Sequence, residues 1–389
     1  MALERNTMDT GMKVRRTLGT VLAGAALSLA LAPGAQAAKA LEVGCGETIT
    51  TDTTLDVDLV NCPSNGIVIG ADGITLDLNG HTVSGNGKAV KKCPKDEFCD
   101  VGLLNDGHDG ITLRDGSVRE FGSGVFVGRA RHNRVLGISS SRNQLFGFIL
   151  AHSARSVVRD SSGNRNPVPD GDGIGVFGSR HLRIVGNSFR RNALGMHVED
   201  SSDILIKGNL FSRNSGPGIL MEADRNQVRR NRCVRNTACI IVAPGNRNVI
   251  ARNRISRDGN GIGIEKGRGN LVAGNVVVGT RRAGIYLGLN EPAIGGVNTV
   301  VRGNVVRGSG ADAFTVREAD DRSLLRGNVA RGAGDDGFDI ENTSTRVRRN
   351  RAVRNADLGI EAVFGVIDGG GNKARGNRSP LQCSNVFCL

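Results

Sequence analysis

Aromatic residues are almost absent from this sequence of 389 residues. It contains no tryptophan, Tyr286 is its only tyrosine, and aromatic side chains make up 3% of the chain. This scarcity excludes a core built on large rings. It also excludes a long aromatic platform on which neutral sugars or nucleobases could stack. A nucleic-acid partner is therefore not expected.

Long apolar runs are also missing. Residues 18–32 come closest, and that run is too short to cross a bilayer, so no membrane span is predicted. The run follows a basic segment at residues 13–16 and precedes small residues at 35–37, the order found in secretory signal peptides. We predict that residues 1–37 are a signal peptide and that the protein is secreted, extracellular or periplasmic; a buried apolar helix is the alternative.

No cysteine belongs to a C-x-x-C motif, and no histidine lies within a few residues of a cysteine, so a zinc site is not indicated. The eight cysteines instead form four pairs of sequence neighbours. Such neighbours in an exported chain predict local disulfides made in an oxidising compartment. The predicted pairs are Cys45 with Cys62, Cys93 with Cys99, Cys233 with Cys239, and Cys383 with Cys388.

Acidic residues are outnumbered by basic ones, 38 against 51, which gives a formal net charge of +13. This balance favours an acidic partner, such as a polyuronate or another anionic cell-surface polymer. The positive charge is spread along the chain and not collected in one run. Arginine at solvent-facing turns, with no partner implied, is therefore an equal alternative.

Glycine and asparagine are abundant and are arranged in a repeat. An Asn closes a short apolar segment at 22-residue intervals, and the series then continues with steps of 29, 24, 22 and 27 residues. A second segment, a Gly followed by alternating apolar residues, lies between these Asn segments. Runs this short and rich in Ile and Val predict strands, and no stretch has the period of a helix. The Asn series is Asn187, Asn209, Asn231, Asn253, Asn275, Asn304, Asn328, Asn350 and Asn377.

A repeat of this kind predicts an all-β right-handed parallel β-helix of roughly a dozen coils of about 22 residues each. The open ends of such a solenoid need caps. We predict one domain over residues 38–389 with disulfide-clasped caps, and a monomer. Its parts are an N-terminal cap with the first coils (38–85), a disulfide loop (86–100), the coils (101–377) and a C-terminal clasp (378–389).

Alternation along the Gly-led strands places the residue after each Gly inward and the next residue outward. The first outward column is then Phe126, Ile149, Gly175, His197, Leu220, Gly263, Tyr286, Thr315, Asp339 and Glu361. The second is Glu199, Glu222, Glu265, Arg317 and Glu341. This face gathers carboxylates on a basic chain. We predict it as the substrate face, carried by His197, Tyr286, Glu341 and Glu361.

The segment at residues 74–85 (ITLDLNGHTVSG), followed by the Gly-led and Asn-closed coils, resembles the bacterial right-handed parallel β-helix proteins. These include pectate-lyase-like enzymes, polyuronate epimerases and periplasmic copper-maturation proteins. The resemblance covers about residues 41–389. It implies the fold but not one chemistry, because this fold hosts many activities.

The densest acidic segment is residues 335–339 (DDGFD), with Asp312 aligned one coil earlier. Carboxylates this close are unfavourable unless a proton or cation lies among them, and oxygen ligands alone favour Ca²⁺. The pattern is similar to that of one pectate lyase family, in which the ion works with a basic residue that removes a proton. The resemblance implies Asp312, Asp335, Asp336 and Asp339 as Ca²⁺ ligands. Lys373 and Arg317 are the candidates for the base.

The alternative is a plain turn, because Asp-Asp-Gly is also a turn sequence. These features together predict a protein that acts on or binds acidic polysaccharide, as a Ca²⁺-assisted polyuronate lyase or epimerase. Other possibilities are a hydrolase using Asp339, Glu341 and Glu361, or a proton-transfer pair of His197 and Glu199. A non-catalytic glycan-binding, cell-surface-binding or structural β-helix also remains open.

Overall fold

The computed structural model describes residues 43–88, 99–166, 171–289 and 294–389. Within these ranges the chain forms parallel strands and no helix, and most coils contribute three short strands. The predicted signal peptide lies outside the described residues. The architecture is the right-handed parallel β-helix that the repeat predicts.

Sheet 1 is formed by the Gly-led strands and stacks fourteen of them in chain order, so the solenoid has about two coils more than the predicted dozen. At a strand spacing of about 4.8 Å, the sheet is about 60 Å long. Its strands are Glu47–Ile49, Ile67–Ile69, Val101–Asp106, Ser123–Gly128, Phe146–Ala151, Asp172–Phe177, Met196–Ser202, Ile219–Asp224, Ala238–Val242, Asn260–Ile264, Ile285–Leu287, Phe314–Val316, Phe338–Ile340 and Ile360–Ala362.

Sheets 2 and 3 lie on either side of the Asn turn, and the two long strands Thr112–Arg119 and Arg134–Ser141 run through both. The other strands of sheet 2 are Thr53–Thr54, Thr75–Asp77, Val157–Arg159, Arg183–Val185, Leu205–Lys207, Gln227–Arg229, Val249–Ala251, Leu271–Ala273, Val300–Arg302, Leu324–Arg326, Arg346–Arg348 and Ile367–Asp368. Those of sheet 3 are Leu59–Cys62, Thr82–Gly85, Ser162–Asn164, Ser188–Arg190, Leu210–Ser212, Arg232–Val234, Arg254–Ser256, Val276–Val278, Val305–Arg307, Val329–Arg331, Arg351–Val353 and Lys373–Arg375. Gly267–Arg268 and Gly296–Val297 form a small separate pair.

The core consists of inward columns, as the alternation predicts. The residue after each sheet 1 glycine is buried from Phe148 to Ile360, and like residues stack on like: the rings of Phe314 and Phe338 lie 4.7 Å apart. Each fully buried side chain of this size stabilises the fold by about 1.5–3 kcal/mol relative to exposure. Because every coil adds such a layer, the columns position the outward side chains in register.

Buried asparagines form hydrogen-bonded ladders at the turns. Asn231 is 1% exposed; its Oδ1 accepts the Asn209 N–H at 2.9 Å, and its Nδ2 donates to the Ile206 carbonyl at 2.9 Å. Each amide therefore satisfies backbone groups of neighbouring coils. One predicted member is wrong. The ladder of Asn350 continues to Asn372 at an interval of 22 residues, and Asn377 belongs to a second ladder at the next corner.

Disulfides join the sequence neighbours. Cys45 bonds Cys62 near the first coil, and Cys383 bonds Cys388 beyond the last one. The C-terminal segment forms β-bridges from Cys383 and Cys388 to the last coil, which covers part of its open edge. Cys233 and Cys239 bond inside the core of one middle coil. Cys99 is also disulfide-bonded, and Cys93 lies outside the described residues.

These disulfides indicate an oxidising compartment, extracellular or periplasmic. Among the residues whose structure is described, no helix has the length and apolar character needed to cross a bilayer.

Candidate functional site

The outer face of sheet 1 carries the predicted columns. The register aligns Gly175 with His197, Tyr286 with Thr315, and Asp339 with Glu361. It also places Ile241, which the predicted column omits, between Leu220 and Gly263. A parallel ladder with this pairing brings residues some 22 positions apart in sequence side by side on one surface.

This face is divided along its length. Near the N-terminal end, Val101, Leu104 and Phe126 form a small apolar cluster outside the main core. Beyond it the face becomes polar, and carboxylates recur on it from Glu199 to Glu361. The polar section is therefore where charged chemistry can occur.

Three of the four predicted calcium ligands converge at one corner of this section. One carboxylate oxygen from each of Asp312, Asp335 and Asp336 lies within 4.8 Å of the others. Asp312 and Asp336 are buried, whereas Asp335 is exposed, and its carboxylate accepts no hydrogen bond from the described residues. Asp312 Oδ1 accepts the Asp336 N–H at 3.1 Å and its Oδ2 accepts the Thr315 hydroxyl at 3.2 Å.

The pKa values of this corner are raised. Desolvation, together with the charges of Asp312, Asp357 and Glu361, raises the pKa of Asp335. Burial and a hydrogen bond with Glu361 raise the pKa of Asp336. Desolvation and repulsion from Asp312 raise the pKa of Asp339 to about 7. The cluster therefore favours bound protons or a bound cation at neutral pH.

Asp339, the fourth predicted ligand, faces Arg317. The Arg317 Nη1 lies 3.4 Å from Asp339 Oδ2 and also contacts the Glu341 carboxylate. One guanidinium thus links two carboxylates of the next coil. This pairing was not evident in the sequence, although the shared outward position of Arg317 and Glu341 is the signal that could have suggested it.

The other predicted base is not part of this face. Lys373 lies on sheet 3, where it pairs with Arg351. Sheet 3 is separated from sheet 1 by a turn, so Lys373 is not brought to the aspartates. Its separation in sequence from the aspartate cluster suits a base. However, its strand is one of the Asn-closed strands and not one of the Gly-led strands that form sheet 1.

The turn alternative also has structural support. Asp336 Oδ1 accepts the Leu358 N–H of the next coil at 2.7 Å. Asp172, which begins a sheet 1 strand far from the cluster, accepts the Leu194 N–H at 3.1 Å in the same manner. Asp312 and Asp336 therefore hold neighbouring coils together whether or not they also hold an ion.

Tyr286 is fixed two coils before Asp339. Its hydroxyl donates to Glu265 Oε1 at 2.7 Å, and its ring lies over Gly263, where an added Cβ would be 2.3 Å from the ring. Burial and the Glu265 charge raise the pKa of the Tyr286 hydroxyl. The tyrosine is therefore held neutral at the surface of the face.

His197 lies further toward the N-terminus, about six coil spacings from Asp339, or about 29 Å. Its Nε2 is 3.8 Å from Glu222 Oε2, and His197, Glu199 and Glu222 offer ligand atoms within 4.8 Å of one another. The face thus carries two separate polar centres. Any one small reacting group can contact only one of them.

Comparisons with known proteins agree with this fold. A family model described as a right-handed beta helix region matches residues 65–223 and 172–317. The catalytic domain of a GH87 alpha-1,3-glucanase, solved with tetrasaccharides, superposes with a TM-score of 0.55 at 15% identity, over 72% of this chain and 63% of that chain. The periplasmic alginate epimerase AlgG superposes with a TM-score of 0.51 at 16% identity, over 74% of this chain and 77% of that one. At these identities the likeness shows the fold alone. No curated protein sequence matches the chain.

Proposed function

The chain belongs to the right-handed β-helix family, and from that premise we propose that it acts on acidic polysaccharide along the outer face of sheet 1. The specific activity that we propose is Ca²⁺-assisted lysis or epimerisation of a polyuronate. Two proteins with this fold, the glucanase and the alginate epimerase, are polysaccharide enzymes by name, which is consistent with the proposal.

The observation that carries the proposal is the convergence of Asp312, Asp335 and Asp336. Calcium–oxygen distances are about 2.3–2.6 Å, so two ligands of one ion lie at most about 5 Å apart. The three carboxylate oxygens, within 4.8 Å of one another, fit that limit. The donors are all oxygen, and the exposed Asp335 leaves room for water or a substrate carboxylate to complete the coordination.

A calcium ion held there would polarise a uronate carboxylate and make its α-proton more acidic. The chain's own groups would then position the sugar. Arg317 is the basic group next to Asp339 and remains our candidate to orient the substrate. To act as the base, its guanidinium would first have to give up its own proton and would then accept the α-proton. The neutral Tyr286 hydroxyl, about 10 Å away along the face, could contact a neighbouring sugar.

Calorimetric titration of the mature protein with Ca²⁺ tests the site. We expect binding by the wild type and none by the Asp335→Asn, Asp336→Asn double variant, because both substituted residues lose their negative charge. The fold should be kept, because the amide oxygen at position 336 can still accept the Leu358 N–H. Asp172→Asn is the matched control, since it makes the same change in the same kind of turn outside the cluster. Absence of binding by the wild type at millimolar Ca²⁺ would refute a calcium site.

Activity is tested separately. Polygalacturonate and alginate would be incubated with the protein and Ca²⁺, and products would be followed by ultraviolet absorbance for unsaturated sugars and by NMR for epimerised ones. Product that disappears in the double variant but persists in Asp172→Asn is the expected result. Product that is unaffected by the double variant would place the chemistry elsewhere.

A second candidate is non-catalytic binding of glycan or cell surface. It is favoured by one observation: Asp312 and Asp336 already accept backbone N–H groups of the next coil, the role that Asp172 has without a cluster. In that case polyuronate would bind without Ca²⁺ and would be recovered unchanged.

A further inference from the structure

A row of arginines follows the corner between sheet 3 and sheet 1. We call it the arginine ladder, and it occupies the same turn position in six successive coils. Each member begins the turn directly after a sheet 3 strand and lies directly before a member of the second buried ladder. All six side chains are exposed. The ladder is Arg142, Arg165, Arg191, Arg213, Arg235 and Arg257.

Every ladder residue has a left-handed backbone, with φ between 56° and 61°. That region disfavours residues with a Cβ, and glycine adopts it without strain. The next three coils do use Gly279, Gly308 and Gly332 at this position. Six consecutive arginines where glycine fits better indicate that the side chains themselves serve a purpose.

The neighbouring corner between sheets 2 and 3 provides an internal comparison. Its left-handed position is filled by Asp160, Gly186 and Gly208 in the coils beside the first ladder arginines. Arginine occurs there only in places, at Arg230, Arg252 and Arg349. An uninterrupted run of six is therefore a property of one corner and not of the repeat in general.

The ladder's charges are largely unneutralised. Arg142 pairs with Glu120 at 3.2 Å, whereas none of the other five forms an ion pair with a carboxylate in the described part of the chain. Four of the ladder arginines, together with the strand arginines Arg190 and Arg232, line an open groove of about 570 Å³; the four are Arg165, Arg191, Arg213 and Arg235. This groove is distinct from the carboxylate-rich face of sheet 1.

The distance between successive charges of the arginine ladder indicates which kind of polymer it can bind. Its charges repeat once per coil, about 4.8 Å apart, over five intervals or about 24 Å. A linear polymer with one anionic group per sugar has a comparable repeat. Duplex DNA carries a charge every 1.7 Å or so of its axis, and single strands are held by aromatic stacking that this chain lacks. We propose that the arginine ladder binds a linear acidic polysaccharide lying parallel to the solenoid axis.

The ladder would retain polymer at one corner while the outer face of sheet 1 acts on or binds it. The proposal requires neither Ca²⁺ nor the aspartate cluster. It therefore fails or succeeds independently of the proposed function, and the test is done with EDTA present.

Binding of polygalacturonate is measured by calorimetry at two salt concentrations, with the wild type and the Arg191→Gly, Arg213→Gly, Arg235→Gly triple variant. Glycine suits the left-handed backbone, so the triple variant should keep the circular dichroism spectrum and the melting temperature. We expect its affinity to fall at least about tenfold, and the salt dependence of binding to become shallower, because three charge-assisted contacts are lost.

The matched control is the Arg230→Gly, Arg252→Gly, Arg349→Gly triple variant, which loses the same charge at left-handed positions of the other corner. It should bind within about threefold of the wild type. Equal weakening of both variants would show attraction by net charge alone and overturn the proposal. No binding by the wild type would overturn it as well. So would tighter binding to single-stranded DNA of matched charge, because the ladder would then be a nucleic-acid site.

Discussion

Replacing Asp258 with Asn should stabilise the protein, and the gain should grow with pH. Asp258 is fully buried and stands in the ladder that other coils build with asparagine. Its Oδ1 accepts the Asn236 N–H and the Asn236 Nδ2, each at 2.7 Å. Its Oδ2 is buried without a hydrogen-bond partner among the described residues. The one acidic member of an amide ladder is thus incompletely satisfied.

The magnitude follows from the pKa. Burial raises the pKa of Asp258 from 3.8 to about 6. The folded state therefore binds a proton more tightly than the unfolded state between these values, and stability is lost as pH rises through that window. At 1.36 kcal/mol per pKa unit, the free energy of unfolding is about 3 kcal/mol lower above pH 6 than at low pH.

Asp258→Asn removes this loss. Its new amide would face the carbonyl of Cys233, as the Asn236 Nδ2 faces that of Phe211 at 3.2 Å. One added hydrogen bond contributes about 1 kcal/mol. We therefore expect a gain of about 1 kcal/mol at pH 4 that rises to about 4 kcal/mol at pH 8.

Urea unfolding of both proteins from pH 4 to pH 8, followed by circular dichroism, measures the difference. Asn236→Asp is the opposite control, because it adds a second buried carboxylate to the same ladder and should reduce stability most at high pH. A gain in stability that is independent of pH, or no gain at pH 8, would refute the reasoning that burial of the ionised Asp258 carboxylate destabilises the fold.

Three further results are expected. Asn231→Ala should lower the free energy of unfolding, measured in urea, by about 3–5 kcal/mol, because the Asn209 N–H, the Asn209 side-chain amide and the Ile206 carbonyl lose their partners. Val276→Ala, at an exposed position, is its control, and a similar loss there would contradict a stabilising role of the buried asparagine ladder. Gly263→Ala should displace the ring of Tyr286 from Glu265, so that the pKa of this only tyrosine falls back toward 10 in an ultraviolet titration; an unchanged titration would mean that the ring does not depend on the glycine. Calcium affinity should weaken as pH falls from 8 to 6, and binding in this range should release protons, because the pKa of Asp339 is about 7 and the ion competes with its proton. Affinity that is flat across this range in calorimetry would separate Asp339 from the site.

Much of the fold could be predicted because a solenoid is nearly one-dimensional. Each coil contacts mainly its neighbours, so an interval of 22 residues in the sequence becomes a neighbour in space. That is why the outward column from Phe126 to Glu361 agrees with the register of sheet 1, except that it omits Ile241. The Asn377 error arose where the interval changed, because two ladders five residues apart look alike in sequence.

Less of the candidate site could be predicted. The sequence shows that Asp312 and the segment 335–339 share a face, but it does not show which atoms meet. Arg317 reaches across one coil to Asp339 and Glu341, and Asp258 replaces an amide inside the solenoid. Both depend on side-chain direction and burial, which a pattern of residue types does not contain.

The amino-acid sequence by itself therefore determined the period, the parallel strands and the alternation of inward and outward side chains, because these arise from local propensity and regular spacing. The tertiary structure alone decided which corner each turn residue occupies. That decision separated Lys373 from the aspartates by a turn and aligned six arginines from Arg142 to Arg257 along one edge. The physical reason is that the corner at which a residue lies depends on where the turns of its coil fall. Loops of unequal length move the turns along the sequence, although the repeating strand segments stay the same.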